Sequence, residues 1–363
     1  MANKKPTWAK WVTRISLVFA IGALVWTVND LGLNTMKLYM SKIGWWWFGV
    51  VGLEVFGTFL DAVAIRAFMS PENREIKLRQ TTLSQLSGRA VNIVTPTANL
   101  GEVLKMSVLT EYVSEARAIS TILLYNVVAF VIELMVVAVA TPFLLIFVPM
   151  PTGLWWMVFA SGVVCLLISV GLYVLVGRGM LSAVARTLRR IRLISQARLA
   201  KLEPKLRSVD DKLRLVEGAR RRDRLLGIGA ITLSRFTSMF ISLSVVYVVS
   251  PGTLTVGFIA AYIVGGFAIY MVGTLVPMGL GVSEGGWYGL FRALGENPAG
   301  GVTMVLARRV TLILYAGIGL VLLTASETVK RARVRQAERA AAPPPEPAAV
   351  PAALPVPPTT PAQ

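Results

Sequence analysis

The chain has 363 residues, 55% of them apolar and 15% charged, with a formal net charge of +18, one cysteine and no histidine. A soluble domain carries about a quarter charged residues, so this composition excludes an ordinary globular protein and points to a polytopic α-helical membrane protein. The lack of histidine excludes histidine acid–base chemistry and the usual zinc and haem sites, and the lone Cys165 excludes a disulfide framework or thiolate cluster.

The basic N-terminus, residues 1–11, leads into an apolar run over 12–29. No small-residue cleavage motif follows it, so it reads as a retained helix and not as a signal peptide. A second span is expected over 43–66, opening with Trp45, Trp46 and Trp47, residues suited to the membrane–water interface. A charged loop precedes an irregular polar region, 80–110. Spans follow over 118–148 and 154–177, joined by an uncharged turn. The segment 178–225 holds fifteen Lys/Arg against five Asp/Glu, which accounts for most of the net charge. Its apolar positions Leu199, Leu202, Leu206, Val209, Leu213 and Val216 alternate three and four apart, interrupted by Pro204, as in an amphipathic helix on the membrane face. The second half, 226–327, has a span over 226–249, an apolar run over 254–276, a glycine-rich stretch over 277–301 and a last span over 303–326. Residues 328–363 read as a basic segment followed by a disordered Pro/Ala-rich tail.

Basic segments beside apolar spans stay in the cytoplasm, which places both termini and 178–225 on that side. This disposition of the charge replaces a nucleic-acid reading with attraction to anionic lipid. Parity then forces the region 80–110 to enter and leave on the cytoplasmic side, and 254–301 to begin and end on the other. The expected architecture is all-α, with about six full spans and two broken or re-entrant hairpins related as an inverted repeat. The run 254–276 is either a full span or one arm of the second hairpin.

Broken polar backbone at membrane depth is tolerated where protein or a watery cavity surrounds it. In the first hairpin, Pro96 and Gly101 break the helix, and Asn99 lies between them. Arg89 and Asn92 before the break, and Glu102 and Lys105 after it, are spaced three apart and share faces. They are candidates to line a translocation path, or alternatively Glu102 and Lys105 pair with each other at the interface. The second hairpin carries Pro277, Gly281 and Glu284, an echo of Pro96, Gly101 and Glu102. Ionisable residues inside spans are functional candidates, which adds Glu54, Glu133 and Arg235. Arg235 is expected to pair with Glu133, Glu102 or Glu284, or to grip a phosphate. Arg308 and Arg309 stand near the start of the last span, where snorkelling to the interface is the alternative to a role inside.

The run Asn92, Pro96, Gly101, Glu102, Lys105, Leu109, followed later by "VPMGLGVSEGGWYGLFRALG" and by Arg308 in "VLARRV", resembles the lysylphosphatidylglycerol synthase transmembrane-region family, often called flippase-like. The resemblance covers roughly residues 10–327. It implies several transmembrane helices and the movement of polar lipids between leaflets, with relatives linked to aminoacylated phosphatidylglycerol, hopanoids and polyprenol-linked sugars. It implies the lipid-handling half of such proteins without their soluble synthetase domain. The chain departs from the family pattern at Thr97–Asn99, where a basic residue is usual, and at Lys105, where arginine is usual. It departs again at Met278 and Leu280, where glycines are common, and at Tyr125-Asn126, where many members have Glu-Arg.

The function expected from these observations is an inner-membrane lipid translocase of a bacterium, not an enzyme. Arg89, Lys105 and Arg235 would meet a phosphate-bearing headgroup. Glu102 and Glu284 would meet a cationic group, a sugar or a coupling proton. The alternatives are a membrane transferase acting on a lipid-linked substrate, with Glu102 or Glu284 as acid or base, and a scaffold for a lipid-synthesising enzyme. No Walker loop, nucleophile elbow, zinc motif or dinucleotide fingerprint is present, so no cofactor is expected. The partners are membrane lipids.

Overall fold

A computed structural model describes residues 41, 44–70, 76–94, 100–177, 221–274 and 281–341. The span expected at 12–29, the candidates Pro96, Asn99 and Pro277, the amphipathic pattern of Leu199–Val216 and the Pro/Ala-rich tail lie outside the described residues. The chain divides into one unit ending at Leu323 and a second from Thr324 onward, and the helix bundle belongs to the first.

The described residues form nine helices and no strand. They are α1 (Trp46–Phe68), α2 (Leu78–Val94), α3 (Leu100–Leu109), α4 (Glu115–Phe147), α5 (Thr152–Gly177), α6 (Arg221–Val249), α7 (Val256–Gly273), α8 (Val282–Ala293) and α9 (Pro298–Ala341). Six of them, α1, α4, α5, α6, α7 and α9, are long and apolar enough to cross a membrane. The protein is therefore an all-α polytopic membrane protein. The run 254–276 supplies one of the six as α7. The helices α3 and α8, with 10 and 12 residues, reach only about 15 and 18 Å, short of the roughly 30 Å hydrocarbon layer.

Local chemistry sets the helix ends. Ser114 caps α4, its hydroxyl accepting from Arg117 N at 3.4 Å, and Thr255 caps α7 by accepting from Phe258 N at 3.1 Å. Gly281 takes a left-handed φ of 77° at the start of α8, where Glu284 Oε2 accepts from its N–H at 2.8 Å. The last helix begins at Pro298, not at 303, since proline is well placed in a first turn. Arg308 and Arg309 consequently lie about 15 Å along that helix and not at its opening, which corrects the snorkelling alternative. The helix also runs on to Ala341, past the boundary expected at 327, because Arg, Lys, Ala, Glu and Gln, all good helix formers, make up most of the basic segment. Similarly α6 starts at Arg221, so residues 221–225 belong to a span and not to the preceding basic segment.

The two hairpins are present and are rooted at opposite ends of the bundle. At one end, Phe68 at the close of α1 and Met69 after it, Ile76 before α2, Leu109 at the close of α3 and Val113 after it, Ala118 and Ile122 of α4, and Ile231 of α6 form one buried cluster. This end holds both feet of the α2–α3 hairpin. At the other end, Thr253 before α7 donates to Glu296 Oε2 after α8 at 3.1 Å, and Gly257 lies against Phe147 and Val148 at the close of α4. That end holds both feet of the α7–α8 hairpin. The arms of the first hairpin touch backbone to backbone, since a Cβ on Gly101 would overlap the carbonyl oxygen of Gly88.

Large apolar side chains cover the outside. Trp45 and Trp46 are exposed while Trp47 is buried, and α5 exposes Leu154, Met157, Leu167 and Val170 along its length. Such a surface requires lipid around it.

Candidate functional site

The helix α1 carries three buried polar side chains, Glu54, Thr58 and Asp61, at spacings of four and three, so one face of an otherwise apolar helix is polar. Arginines from three other helices reach that face. Arg89 of α2 bonds Glu54 Oε2 at 2.5 Å and Thr58 Oγ1 at 3.1 Å, and its guanidinium lies over the Tyr315 ring, 5.3 Å from its centroid. Arg308 of α9 lies 3.7 Å from Glu54 Oε1 and bonds the Ser242 hydroxyl of α6. Arg235 of α6 stands between two acids, 3.2 Å from Glu133 Oε1 on α4 and 3.8 Å from Asp61 Oδ1. The same guanidinium donates to the Tyr125 hydroxyl at 3.1 Å, to which Gln85 Nε2 also points at 3.3 Å. Removing charges from water costs several kcal/mol per ion, and here each buried charge stands beside an opposite one that offsets part of that cost.

A second cluster holds the first hairpin. Glu102 accepts from Lys105 Nζ at 2.7 Å, from Asn92 Nδ2 at 3.0 Å and from Asn126 Nδ2 at 3.0 Å. Asn92 also accepts from Gly101 N through its Oδ1 at 2.7 Å, satisfying a free N–H of α3's first turn. Asn92, Gly101, Glu102 and Lys105 therefore do meet, as a lock between the arms and α4. In the second hairpin Glu284 bonds Arg309 of α9 while capping Gly281.

A cavity of about 590 Å³ opens among α4, α6, α7, α8 and α9. Its charged lining, among the described residues, is Arg235, Arg308, Arg309 and Glu133. The remainder is aromatic, aliphatic or hydroxyl-bearing, with Tyr262, Trp287 and Phe267 prominent and Ser238, Ser242 and Ser283 supplying hydroxyls. One residue of each of α2 and α8 reaches it, Ile93 near the end of α2 and Ser283 in the first turn of α8. Such a volume, mostly apolar with a few convergent cations, fits an amphiphile with an anionic group.

Of the sequence candidates, Glu133, Arg235 and Arg308 line this cavity. Arg89 faces Glu54, and Asn92, Gly101, Glu102 and Lys105 form the hairpin lock. Gly281 and Glu284 position α8 beside the cavity. Arg235 has Glu133 as partner, one of the three acids expected for it. Asp61, Gln85 and Tyr125 were not singled out for this network from the sequence. The signal for Asp61 was its place seven residues after Glu54, two turns along the same face.

No curated protein and no solved structure matches the chain significantly. The family described as the lysylphosphatidylglycerol synthase TM region matches residues 14–319, which takes in both hairpins, the α1 stripe and every charged residue of the cavity wall. The chain therefore belongs to the lysylphosphatidylglycerol synthase transmembrane-region family, a membrane and lipid-related one.

Proposed function

We propose that the chain is a lipid translocase that carries an anionic, phosphate-bearing headgroup between leaflets while the acyl chains stay in the bilayer. The observation that carries this reading is the cavity wall, where Arg235, Arg308 and Arg309 converge beside aromatic and aliphatic surface. Guanidinium groups bind phosphate oxygens through paired, charge-assisted hydrogen bonds. Each of the three arginines is exposed by about one-quarter of its side chain, so its guanidinium can be reached from the cavity. Hairpins rooted at opposite ends, each lending a residue to the cavity wall, support access from either side in turn. Arg89 and Lys105 act behind the wall, Arg89 through Glu54 and Lys105 through the hairpin lock. The chain moves its lipid without altering it, in the cytoplasmic membrane with both termini in the cytoplasm. Aminoacylated phospholipids, hopanoids and polyprenol-linked glycolipids are the classes to examine.

The test is leaflet exchange by purified protein in liposomes containing labelled anionic and aminoacylated phospholipids. Exchange that falls to the protein-free rate in Arg235→Ala and Arg309→Ala, with both variants folded, is the expected result. Wild-type protein that leaves lipids in place, or that yields a lipid of changed mass, overturns the proposal, the second result in favour of a transferase.

A further inference from the structure

Asp61 lies behind the cavity wall, its side chain only 4% exposed. Its Oδ2 accepts from Gln85 Nε2 at 3.3 Å, while Oδ1 makes no hydrogen bond among the described residues and faces Arg235 Nη2 at 3.8 Å. Glu133 holds the same guanidinium from the cavity side at 3.2 Å and is one-third exposed. Arg235 is thus flanked by one carboxylate in the wall and one behind it. The neighbouring wall arginines are built on the same plan, Arg308 beside the buried Glu54 and Arg309 on Glu284.

An anion that enters the cavity therefore meets guanidinium groups that are already engaged. It must displace or share a carboxylate at each one. These carboxylates are fixed to α1, α4 and α8, so they cannot diffuse away and they compete for the guanidinium throughout the anion's stay. In a low-dielectric wall an unopposed guanidinium holds a phosphate strongly. A carrier needs binding firm enough to admit its cargo and weak enough to let it leave.

We infer that Asp61, from behind, and Glu133, from the front, are positioning residues that set release: they compete with an anionic headgroup for Arg235, weaken the bound state and so speed its departure. The inference rests on the reading of the cavity as a headgroup site. It assigns to two acids a role opposite to binding, and it separates affinity from rate.

The experiment uses the full chain in two assays. Short-chain phosphatidylglycerol is the probe for binding to detergent-solubilised protein, and labelled phosphatidylglycerol in liposomes is the probe for exchange. Asp61→Asn is expected to raise affinity by about tenfold or more and to slow exchange below wild type. Asp61→Glu is expected to return both toward wild-type values. Glu133→Gln, at a partly exposed position, carries the same expectation and decides the matter where Asp61→Asn fails to fold. Weaker or unchanged binding in the folded acid variants overturns the inference, because a merely structural role lowers affinity and rate together. Where the wild type binds the probe and exchange needs Arg235, that result leaves the headgroup reading standing. A wild type that neither binds nor exchanges the probe, with Arg235→Ala no different, removes both.

Discussion

Glu54 is a buried carboxylate shared by two cations. It is 1% exposed and answers two arginines, Arg89 and Arg308, that are themselves about one-quarter exposed. Replacing it with leucine strands both cations. Glu54→Leu is expected to cost about 2–4 kcal/mol of stability, with the arginines' partial exposure moderating the loss, and Glu54→Gln less, because the amide oxygen still accepts from Arg89. Denaturant unfolding in detergent measures both. Sequence reading reached Glu54, Glu133 and Arg235 because each is an ionisable residue inside an apolar run. It missed Asp61 at the same kind of position, and it missed Tyr125 and Gln85 because an uncharged polar residue in a helix carries no signal until its neighbours are known. Which arginine answers which acid was likewise illegible, since the polar partners brought to this face from other helices lie 24 to 257 positions apart along the chain.

At the scale of elements, the hairpins were legible and their locks were not. A proline, a glycine and a cluster of polar residues cannot continue an apolar helix, so a break near 96–101 followed from the sequence, as did a second near 277–281. The close seam between α2 and α3 did not, because glycine tells of small size and not of what presses against it. Gly101→Ala is expected to force the two arms apart and to cost about 1–3 kcal/mol, as overpacking does. Gly171→Ala in α5 meets nothing within 4 Å and is expected to be neutral or to stabilise by up to about 1 kcal/mol through helix propensity. Asn92→Ala removes both the cap on Gly101 and a bond to Glu102, with an expected loss of about 1–2 kcal/mol. Thermal unfolding of the three variants side by side checks the set, and equal behaviour of the two glycine variants would contradict the seam.

For the whole molecule, two ends are defined by packing, and the proposed orientation puts the end that roots the first hairpin in the cytoplasm. Lys77 and Ala116 mark the end that roots the first hairpin, while Pro151 and Ala299 mark the end that roots the second, all at exposed positions. In a Cys165→Ser background, single cysteines at Lys77 and Ala116 are expected to react with an impermeant thiol reagent only from the cytoplasmic side. Those at Pro151 and Ala299 are expected to react only from the opposite side. Labelling of Ala299→Cys from the cytoplasm would show that the α7–α8 hairpin does not return to the end where it began. The spans differ greatly in what they must satisfy there. Half of the core of α9 is buried against other helices, but only 11% of α5 is. In α1, substitutions must preserve particular partners; in α5, most need only preserve length and oiliness. Over evolutionary time α5 is therefore free to drift among apolar residues, and a deep substitution scan should find it the most permissive of the described spans, with Gly162 and Ser169, where it touches α4, as its few fixed points.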